Sequence, residues 1–232
     1  MLSFTEENYL KALLKLAWEG DGRQEAGTNE IAKELNVKPA TANDMLKRLK
    51  EKKLVSYKRY GKSSLTAAGK RMGIEIVRKH RLWETFLFEK LGFTWDEVHE
   101  VAEQLEHIKS AKLVNKLDQF LGYPVVDPHG DAIPNAKGEI NLEKRTTLAE
   151  QAVGISCNVV GVKDNTAAFL QYADKVGLAI NKQLSVTAVQ PYDGLIEIEV
   201  NGKRSSVSPQ FAENIIVQPH VKKAAINKRK QL

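Results

Sequence analysis

The first 70 residues show the apolar spacing of three short helices followed by a β-ribbon. Ser3 and Glu6 are spaced as in a capping box, which predicts a helix from there to the glycines at positions 20 and 22. A second helix is predicted from Thr28, and Pro39 opens a third that runs to about Lys53. The apolar positions of the first helix repeat at helical spacing: Tyr9, Leu10, Leu13, Leu14, Leu16 and Ala17.

Two short strands follow the third helix. Leu54–Tyr60 and Ser63–Thr66 flank a turn at Gly61–Lys62. Three helices and a ribbon in this order predict a winged helix-turn-helix over residues 1–70. The plain alternative is a helical bundle with a hairpin, but the proline at the start of the third helix and the ribbon after it favour DNA binding.

Lys38–Arg48 is the candidate recognition helix. Its first turn carries small or hydrogen-bonding side chains that allow close approach to base edges, and basic residues along the helix and wing are suited to phosphates. The predicted DNA contacts are Lys38, Pro39, Ala40, Thr41, Asn43, Lys47 and Arg48 in the helix, and Lys58, Arg59 and Lys62 in the wing.

The middle of the chain, residues 71–146, is predicted to be all helical. A long helix covers roughly Ala67–Leu91, and a second begins near Trp95 and extends towards Leu121 with a break near Ser110. The segment YPVVDPHGDAIPNAKGE, rich in proline and poor in apolar residues, predicts a structured connector.

Residues 147–232 change to the alternating pattern of short strands in SCNVVGV, QLSVTAV and LIEIEV. Asn201–Gly202 predicts a hairpin turn, and short helices are expected near 166–176 and 209–213. The span therefore predicts a small β-barrel with a basic, frayed tail, and an overall α+β chain of three domains.

Composition narrows the class of protein. Residues 1–75 carry 15 basic and 10 acidic side chains, whereas residues 76–150 carry 10 and 13, which suggests a polyanion partner for the first part and cations for the second. Cys157 is the only cysteine, so an internal disulfide and a cysteine zinc site are excluded; we expect it buried in a strand. No apolar run approaches membrane-spanning length and no signal peptide begins the chain, so we expect a soluble, cytoplasmic protein with no membrane partner.

The segment WDEVHEVAEQLEHIKS gathers His99, Glu103, Glu106 and His107. On a helix these four positions fall within an arc of roughly 100°. Two imidazoles and two carboxylates on one face are suited to a divalent cation, although a solvated acidic face with incidental histidines is the plain alternative. The His-Glu-x-x-His pattern of zinc proteases fails, because the second histidine position is occupied by glutamate.

His80 and Glu84 form a second pair four residues apart, on a face that also carries Trp83 and Leu87. A buried ionisable pair needs a partner to offset desolvation. The two side chains either satisfy each other by a hydrogen bond or join His99 in a second metal site.

Taken in order, these motifs resemble the diphtheria-toxin-repressor family of dimeric, metal-dependent transcriptional regulators. The resemblance covers most of the chain and rests on TEENYLKAL, KPATANDMLKRL, RKHRLWE, HEVAEQLEHI and DPHGDAIP. It implies that residues 147–232 form the SH3-like domain of that family. It also implies a homodimer that binds a palindromic double-stranded operator.

The resemblance also implies two metal sites. The primary site would use Asn8, Glu103, Glu106 and His107, and the ancillary site His80, Glu84 and His99, with Asp164 of the third domain. Two positions depart from the family: Asn8 stands where methionine or aspartate is usual, and Lys11 stands where some manganese regulators have a carboxylate.

Oxygen and imidazole ligands without sulfur favour Mn(II), with Fe(II) the alternative, although affinity alone ranks Zn(II) above both. This ligand set favours activation by Mn(II), and the resemblance implies a repressor of metal-uptake genes and not an enzyme. Two other functions stay open at this point: a winged-helix regulator that senses an organic ligand, and a metallohydrolase with Glu100 or Glu103 as general base.

Overall fold

The computed structural model describes residues 2–19, 24–57, 61–140 and 145–219. Its contacts divide the chain into two compact units. The first unit comprises Met1–Asp127 and Ala132–Leu142, and the second comprises Pro128–Asp131 and Glu143–Leu232. The further division of the first unit at residue 70 stays a prediction.

The front of the first unit is the predicted winged helix-turn-helix. Its elements are α1 (Phe4–Glu19), β1 (Ala26–Gly27), α2 (Thr28–Glu34), α3 (Pro39–Glu51), β2 (Val55–Tyr57) and β3 (Lys62–Leu65), and the strands form an antiparallel sheet in the order β1-β3-β2. The predicted capping box is confirmed, because the Ser3 amide donates to Glu6 (2.9 Å) and the Glu6 amide donates to Ser3 Oγ (3.3 Å).

Helix α3 shows why the recognition helix presents its polar side outward. Pro39 occupies its first turn, where its missing N–H costs no helical hydrogen bond. Ala42, Leu46 and Leu49 repeat at helical spacing and are fully buried in the core with residues of α1 and α2. The basic side chains between them are consequently held on the exposed face.

The second half of this unit is helical. It contains α4 (Ala67–Leu91), α5 (Val98–Leu105) and α6 (Ala111–Phe120). Thr66 caps α4 by accepting from the Gly69 amide (3.1 Å), and Gly92 ends it in the left-handed conformation (φ 74°). A core of Leu82, Leu87, Val98, Ala102 and Val114, among others, joins the three helices. Within the described ranges, no helix combines the length and the apolar character that crossing a membrane requires.

Two predicted boundaries differ from the structure. The strand predicted over Leu54–Tyr60 is observed over Val55–Tyr57, and residues 58–60 lie outside the described part of the chain. The helix expected to run from Trp95 towards Ser110 ends at Leu105, so Glu106 and His107 follow it instead of belonging to it. The predicted frayed tail, residues 220–232, also lies outside the described residues.

The second unit contains a six-stranded antiparallel sheet. Its elements are β4 (Thr146–Thr147), a short 3-10 helix (Leu148–Glu150), β5 (Ser156–Val162), α7 (Ala167–Lys175), β6 (Gln183–Val189), β7 (Ile196–Val200), β8 (Lys203–Val207), α8 (Pro209–Glu213) and β9 (Ile215–Pro219). The strand order is β4-β9-β5-β6-β7-β8. Asn201 (φ 52°) and Gly202 (φ 77°) form the predicted turn between β7 and β8.

Cys157 occupies β5 and is fully buried, as predicted. Burial disfavours the thiolate and raises the pKa of this thiol to about 11. A protonated, enclosed thiol of this kind is unreactive and serves as a small apolar side chain.

Candidate metal centre and DNA-binding surface

His80, Glu84 and His99 converge between α4 and α5. His80 and Glu84 are one helical turn apart on α4, and His80 Nε2 lies 2.9 Å from Glu84 Oε1. His99, on α5, places Nδ1 3.1 Å from the same Glu84 oxygen and 3.1 Å from His80 Nε2. His80 and Glu84 are buried, whereas the His99 side chain is 41% exposed.

The charges of this cluster stabilise each other. Hydrogen bonding to Glu103 and then to Glu84 raises the pKa of His99 to about 9, although its partial burial acts in the opposite direction. The same contact with His99 lowers the pKa of Glu103 to about 2. Glu103 Oε1 lies 3.5 Å from His99 Nε2, so Glu103 faces the ancillary cluster.

Glu106 is an enclosed carboxylate beside this cluster, with 1% of its side chain exposed. Its Oε2 lies 2.6 Å from His80 Nδ1 and accepts from Lys11 Nζ at 2.7 Å. Burial acts to raise the pKa of Glu106, but the hydrogen bond with His80 and the charges of Lys11 and His80 outweigh it and lower this pKa. Glu106 is therefore a buried carboxylate that is kept ionised by its neighbours.

His107 faces α1. Its Nδ1 lies 2.6 Å from Glu7 Oε2, and its ring stacks on Phe4 with the centroids 4.4 Å apart. Both Glu7 and His107 are buried. The first helix therefore contacts the segment after α5 through two polar pairs, Glu7 with His107 and Lys11 with Glu106.

The four residues that the periodicity placed on one helix lie in two successive stretches of backbone. His99 and Glu103 belong to α5, whereas Glu106 and His107 follow its end, so the single-helix arrangement was wrong. Glu103 and Asn8 are exposed. The primary site of Asn8, Glu103, Glu106 and His107 stays a prediction.

Asp164 lies in the second unit. Its Oδ1 accepts from the Thr166 amide (2.9 Å) in the turn that precedes α7. Its predicted role as an ancillary ligand stays a prediction.

The ancillary residues suit a divalent cation. One donor atom from each of His80, Glu84 and His99 lies within 4.8 Å of the other two. Ligands about 2.1 Å from one ion are separated by roughly 3–4 Å, so the spacing matches. Two imidazoles and one carboxylate form a borderline nitrogen and oxygen set without sulfur.

Most of the predicted DNA-contacting residues at the start of α3 and along it are exposed. Lys38, Pro39, Ala40, Thr41, Lys47 and Arg48 are exposed, and Asn43 is half-buried. Lys47 Nζ lies 3.4 Å from Asp44 in an exposed pair that costs little to break. Lys62 is half-buried at the start of β3, and Lys58 and Arg59 lie outside the described residues.

Glu7 makes one of the polar contacts that sequence reasoning missed. Glu7 and Lys11 are four residues apart on α1 and therefore share a face. That face also carries the buried Leu10 and Leu14, so a carboxylate on it required a partner. The signal was present, but it did not identify His107.

Three family models match successive parts of the chain. The iron-dependent repressor N-terminal DNA-binding domain matches residues 1–62, the iron-dependent repressor metal-binding and dimerisation domain matches residues 66–135, and the FeoA domain matches residues 146–219. The order agrees with the winged helix-turn-helix, the helical segment and the SH3-like sheet.

Known metal-dependent repressors are similar to the chain in sequence and structure. The chain is 32% identical over 130 residues to the iron-dependent repressor IdeR of Mycobacterium leprae, which is 56% of this chain and 55% of that relative. It therefore spans about half the length of the curated relatives it matches. A manganese-dependent transcriptional repressor in complex with manganese is 33% identical, with a TM-score of 0.79, over 92% of this chain and 99% of the other. ScaR with bound Cd2+ is 34% identical, with a TM-score of 0.72, over 92% and 98%.

The chain belongs to the diphtheria-toxin-repressor family of metal-dependent regulators. The α+β fold with a DNA-binding domain, a helical dimerisation domain and a C-terminal SH3-like FeoA domain is thereby confirmed. The family consists of transcriptional repressors, so the metallohydrolase alternative is set aside.

Proposed function

We propose that this protein is a Mn(II)-activated repressor of metal-uptake genes, and that it acts as a homodimer on a palindromic DNA operator in the cytoplasm. The observation that carries the proposal is the converged cluster of His80, Glu84 and His99, which lies beside the contacts of Glu106 and His107 with α1. His80, Glu84, His99, Glu106 and His107 lie in the same compact unit as the DNA-binding domain, which supports the proposal.

The residues that would hold the metal are the ones predicted from the resemblance. His80, Glu84 and His99 would form the ancillary site. Glu103, Glu106 and His107 would form the primary site with the Asn8 side-chain oxygen. A bound divalent ion would supply positive charge to these carboxylates.

The first helix gives the metal site a route to DNA. Glu7 and Lys11 contact residues after α5, while Leu10 and Leu13 are buried in the core that also holds α3. A bound cation that stabilised one position of α1 would therefore stabilise one position of the recognition helix. By linkage, DNA binding would then raise the affinity of the protein for the cation by the same factor.

We prefer Mn(II) over metals that favour sulfur because the proposed ligands are oxygen atoms and imidazole nitrogens. The manganese-dependent repressor that resembles this chain over 92% of its length supports the same choice. The second candidate is an Fe(II)-dependent repressor, since the IdeR relatives are iron-dependent and the same ligands accept Fe(II).

A second copy of the chain is the expected partner of the helical segment. Phe88, Leu91, Leu113 and Phe120 are large apolar side chains on α4 and α6 that are 43–65% exposed. An apolar surface of this kind is typical of an interface. In a symmetric dimer it would set the separation of the two recognition helices, which would match half-sites about one helical turn apart or a multiple of it.

The decisive experiment is a DNA-binding titration of the full chain. Purified protein would be titrated on promoter DNA with Mn(II), Fe(II) under anoxia, Zn(II) or chelator. We expect Mn(II) to promote binding and chelator to abolish it. Binding that is indifferent to chelator would overturn the metal-dependent function and favour a sensor of an organic ligand.

Two variants test the ligands. Glu106→Ala should abolish metal-stimulated DNA binding while circular dichroism shows an intact fold; wild-type gel shifts at the same Mn(II) concentration would remove Glu106 from the site. Asn8→Ala should weaken the coupling between Mn(II) and DNA more than it weakens Mn(II) affinity. Equal losses in calorimetry and DNA titration would contradict that assignment.

A further inference from the structure

Lys11 reaches from the DNA-binding half of the first unit into the predicted metal cluster. Its Nζ lies 2.7 Å from Glu106 Oε2, 3.1 Å from His80 Nδ1 and 3.8 Å from Glu103 Oε1. Only 20% of the Lys11 side chain is exposed. An ammonium group therefore lies among one buried carboxylate, one imidazole and one further carboxylate.

These partners are the groups that a divalent cation would use. The lysine ammonium is a compact charge with three donors and no acceptor, so it engages the oxygen lone pairs that a metal ion needs. Glu106 Oε2 already contacts both Lys11 and His80. An ion bound to that oxygen must displace Lys11 or share the carboxylate with it.

We propose that the Lys11 ammonium is a resident cation of the cluster formed by His80, Glu103 and Glu106, and that it limits how tightly and how many divalent ions bind there. This inference rests on the proposed metal-dependent function. The single charge of the ammonium group repels a divalent ion that binds within a few ångströms of it. Even at an effective dielectric constant of about 20, this repulsion weakens the binding constant of the ion by more than tenfold.

Lys11 has a second consequence for the metal-free protein. Glu106 is 1% exposed, and a buried carboxylate without a cation is strongly destabilising. Lys11 supplies that charge from α1, so it holds the first helix against the segment after α5 before any metal ion binds. The same side chain thus stabilises the metal-free state and disfavours the metal-bound one.

Mn(II) binding to the full-length, metal-stripped chain tests this directly. Electron paramagnetic resonance detects free Mn(II), so a titration without DNA gives both the affinity of the protein for Mn(II) and the number of ions bound. Lys11→Met should bind Mn(II) at least tenfold more tightly than wild type, and Lys11→Glu should bind one more ion per subunit. Lys15→Met is the matched control, because Lys15 lies one turn further along α1 and pairs with Glu34 (2.9 Å) outside the cluster.

Thermal unfolding without metal provides the second readout. Lys11→Met should unfold at a lower temperature than wild type and Lys15→Met, and Mn(II) should raise its midpoint by a larger amount. If Lys11→Met does not fold, Lys11→Gln removes the charge and keeps a hydrogen-bond donor towards Glu106, and the same tenfold gain in Mn(II) affinity is expected.

The outcomes separate this inference from the proposed function. If wild type binds Mn(II) and the neutral Lys11 variants bind it within twofold of wild type, the resident-cation role is wrong while the metal-dependent function stands. An unchanged ion count in Lys11→Glu would likewise overturn the limit on the number of ions. If wild type and all variants bind no Mn(II), both proposals fail.

Discussion

Gly69 provides a sharp test of how the recognition domain is joined to the long helix. It lies in the first turn of α4, where a Cβ would overlap the carbonyl oxygen of Leu54 and lie 3.0 Å from the carbonyl carbon. Leu54 directly precedes β2 of the wing. Its carbonyl also accepts from the Thr66 amide (3.0 Å) and from Thr66 Oγ1 (3.2 Å).

Two effects of Gly69→Ala oppose each other. Alanine in a helix interior is favoured over glycine by about 1 kcal/mol. The overlap with Leu54 requires the backbone to shift by about 1 Å, and overpacking costs typically about 1–3 kcal/mol. Weakening the two hydrogen bonds to Leu54 adds about 0.5–1.5 kcal/mol each. Together these contributions predict that the substitution destabilises the protein by about 1–5 kcal/mol.

Urea denaturation measures this change, and DNA titration measures its effect on the wing. Gly73→Ala is the control, because its Cβ would lie 3.2 Å from Leu10 O and needs a shift of only a few tenths of an ångström. We expect Gly73→Ala to stay within about 1 kcal/mol of wild type. A Gly69→Ala protein as stable as wild type, with unchanged DNA affinity, would refute the proposed contact.

Three further predictions concern other parts of the molecule. Asp118→Ala should lower the free energy of unfolding, measured by urea denaturation, by about 3–5 kcal/mol, because it leaves the buried Arg78 guanidinium, which Asp118 contacts at 2.7 Å, without its carboxylate. A decrease in stability below about 1 kcal/mol would count against this pair. The raised pKa of Cys157 means that the folded state favours the protonated thiol, so its contribution to stability is present below pH 9 and lost as the pH rises towards about 11. The stability difference between wild type and Cys157→Ala should shrink across that range, and a constant difference would show that the thiol does not titrate in this way. Lys47→Ala should reduce the salt dependence of DNA affinity by about one unit of slope, whereas Lys116→Ala on α6 should leave it unchanged; equal slopes in both variants would remove Lys47 from the phosphate contacts.

Helix caps and apolar spacing predicted the local structure because those signals act within one or two turns. The range predicted for α4, residues 67–91, is the observed one, and the Asn201–Gly202 turn is where its sequence placed it. The two short helices predicted in the last domain are also confirmed. Each of these features depends on neighbours that are close in the chain.

The geometry of the site was less predictable because it depends on contacts between distant residues. Glu7 and His107 are 100 residues apart, and Lys11 and Glu106 are 95 apart. Neither glycine nor proline marks the end of α5 at Leu105, so periodicity alone extended the helix through His107.

The first helix contacts both the recognition helix α3 and the segment after α5 that carries predicted metal ligands. At its start, Glu6 accepts from Lys52 Nζ at the end of α3 (2.6 Å), and this contact holds the pKa of Glu6 below its ordinary value. Glu7 and Lys11 contact His107 and Glu106 from the same helix. The Lys52 side chain is 44% exposed, so its ion pair with Glu6 is too weak to carry the coupling alone. The buried apolar side of α1 packs with α3 in one core, so under the proposed mechanism a displacement of α1 at the cluster would also displace the recognition helix.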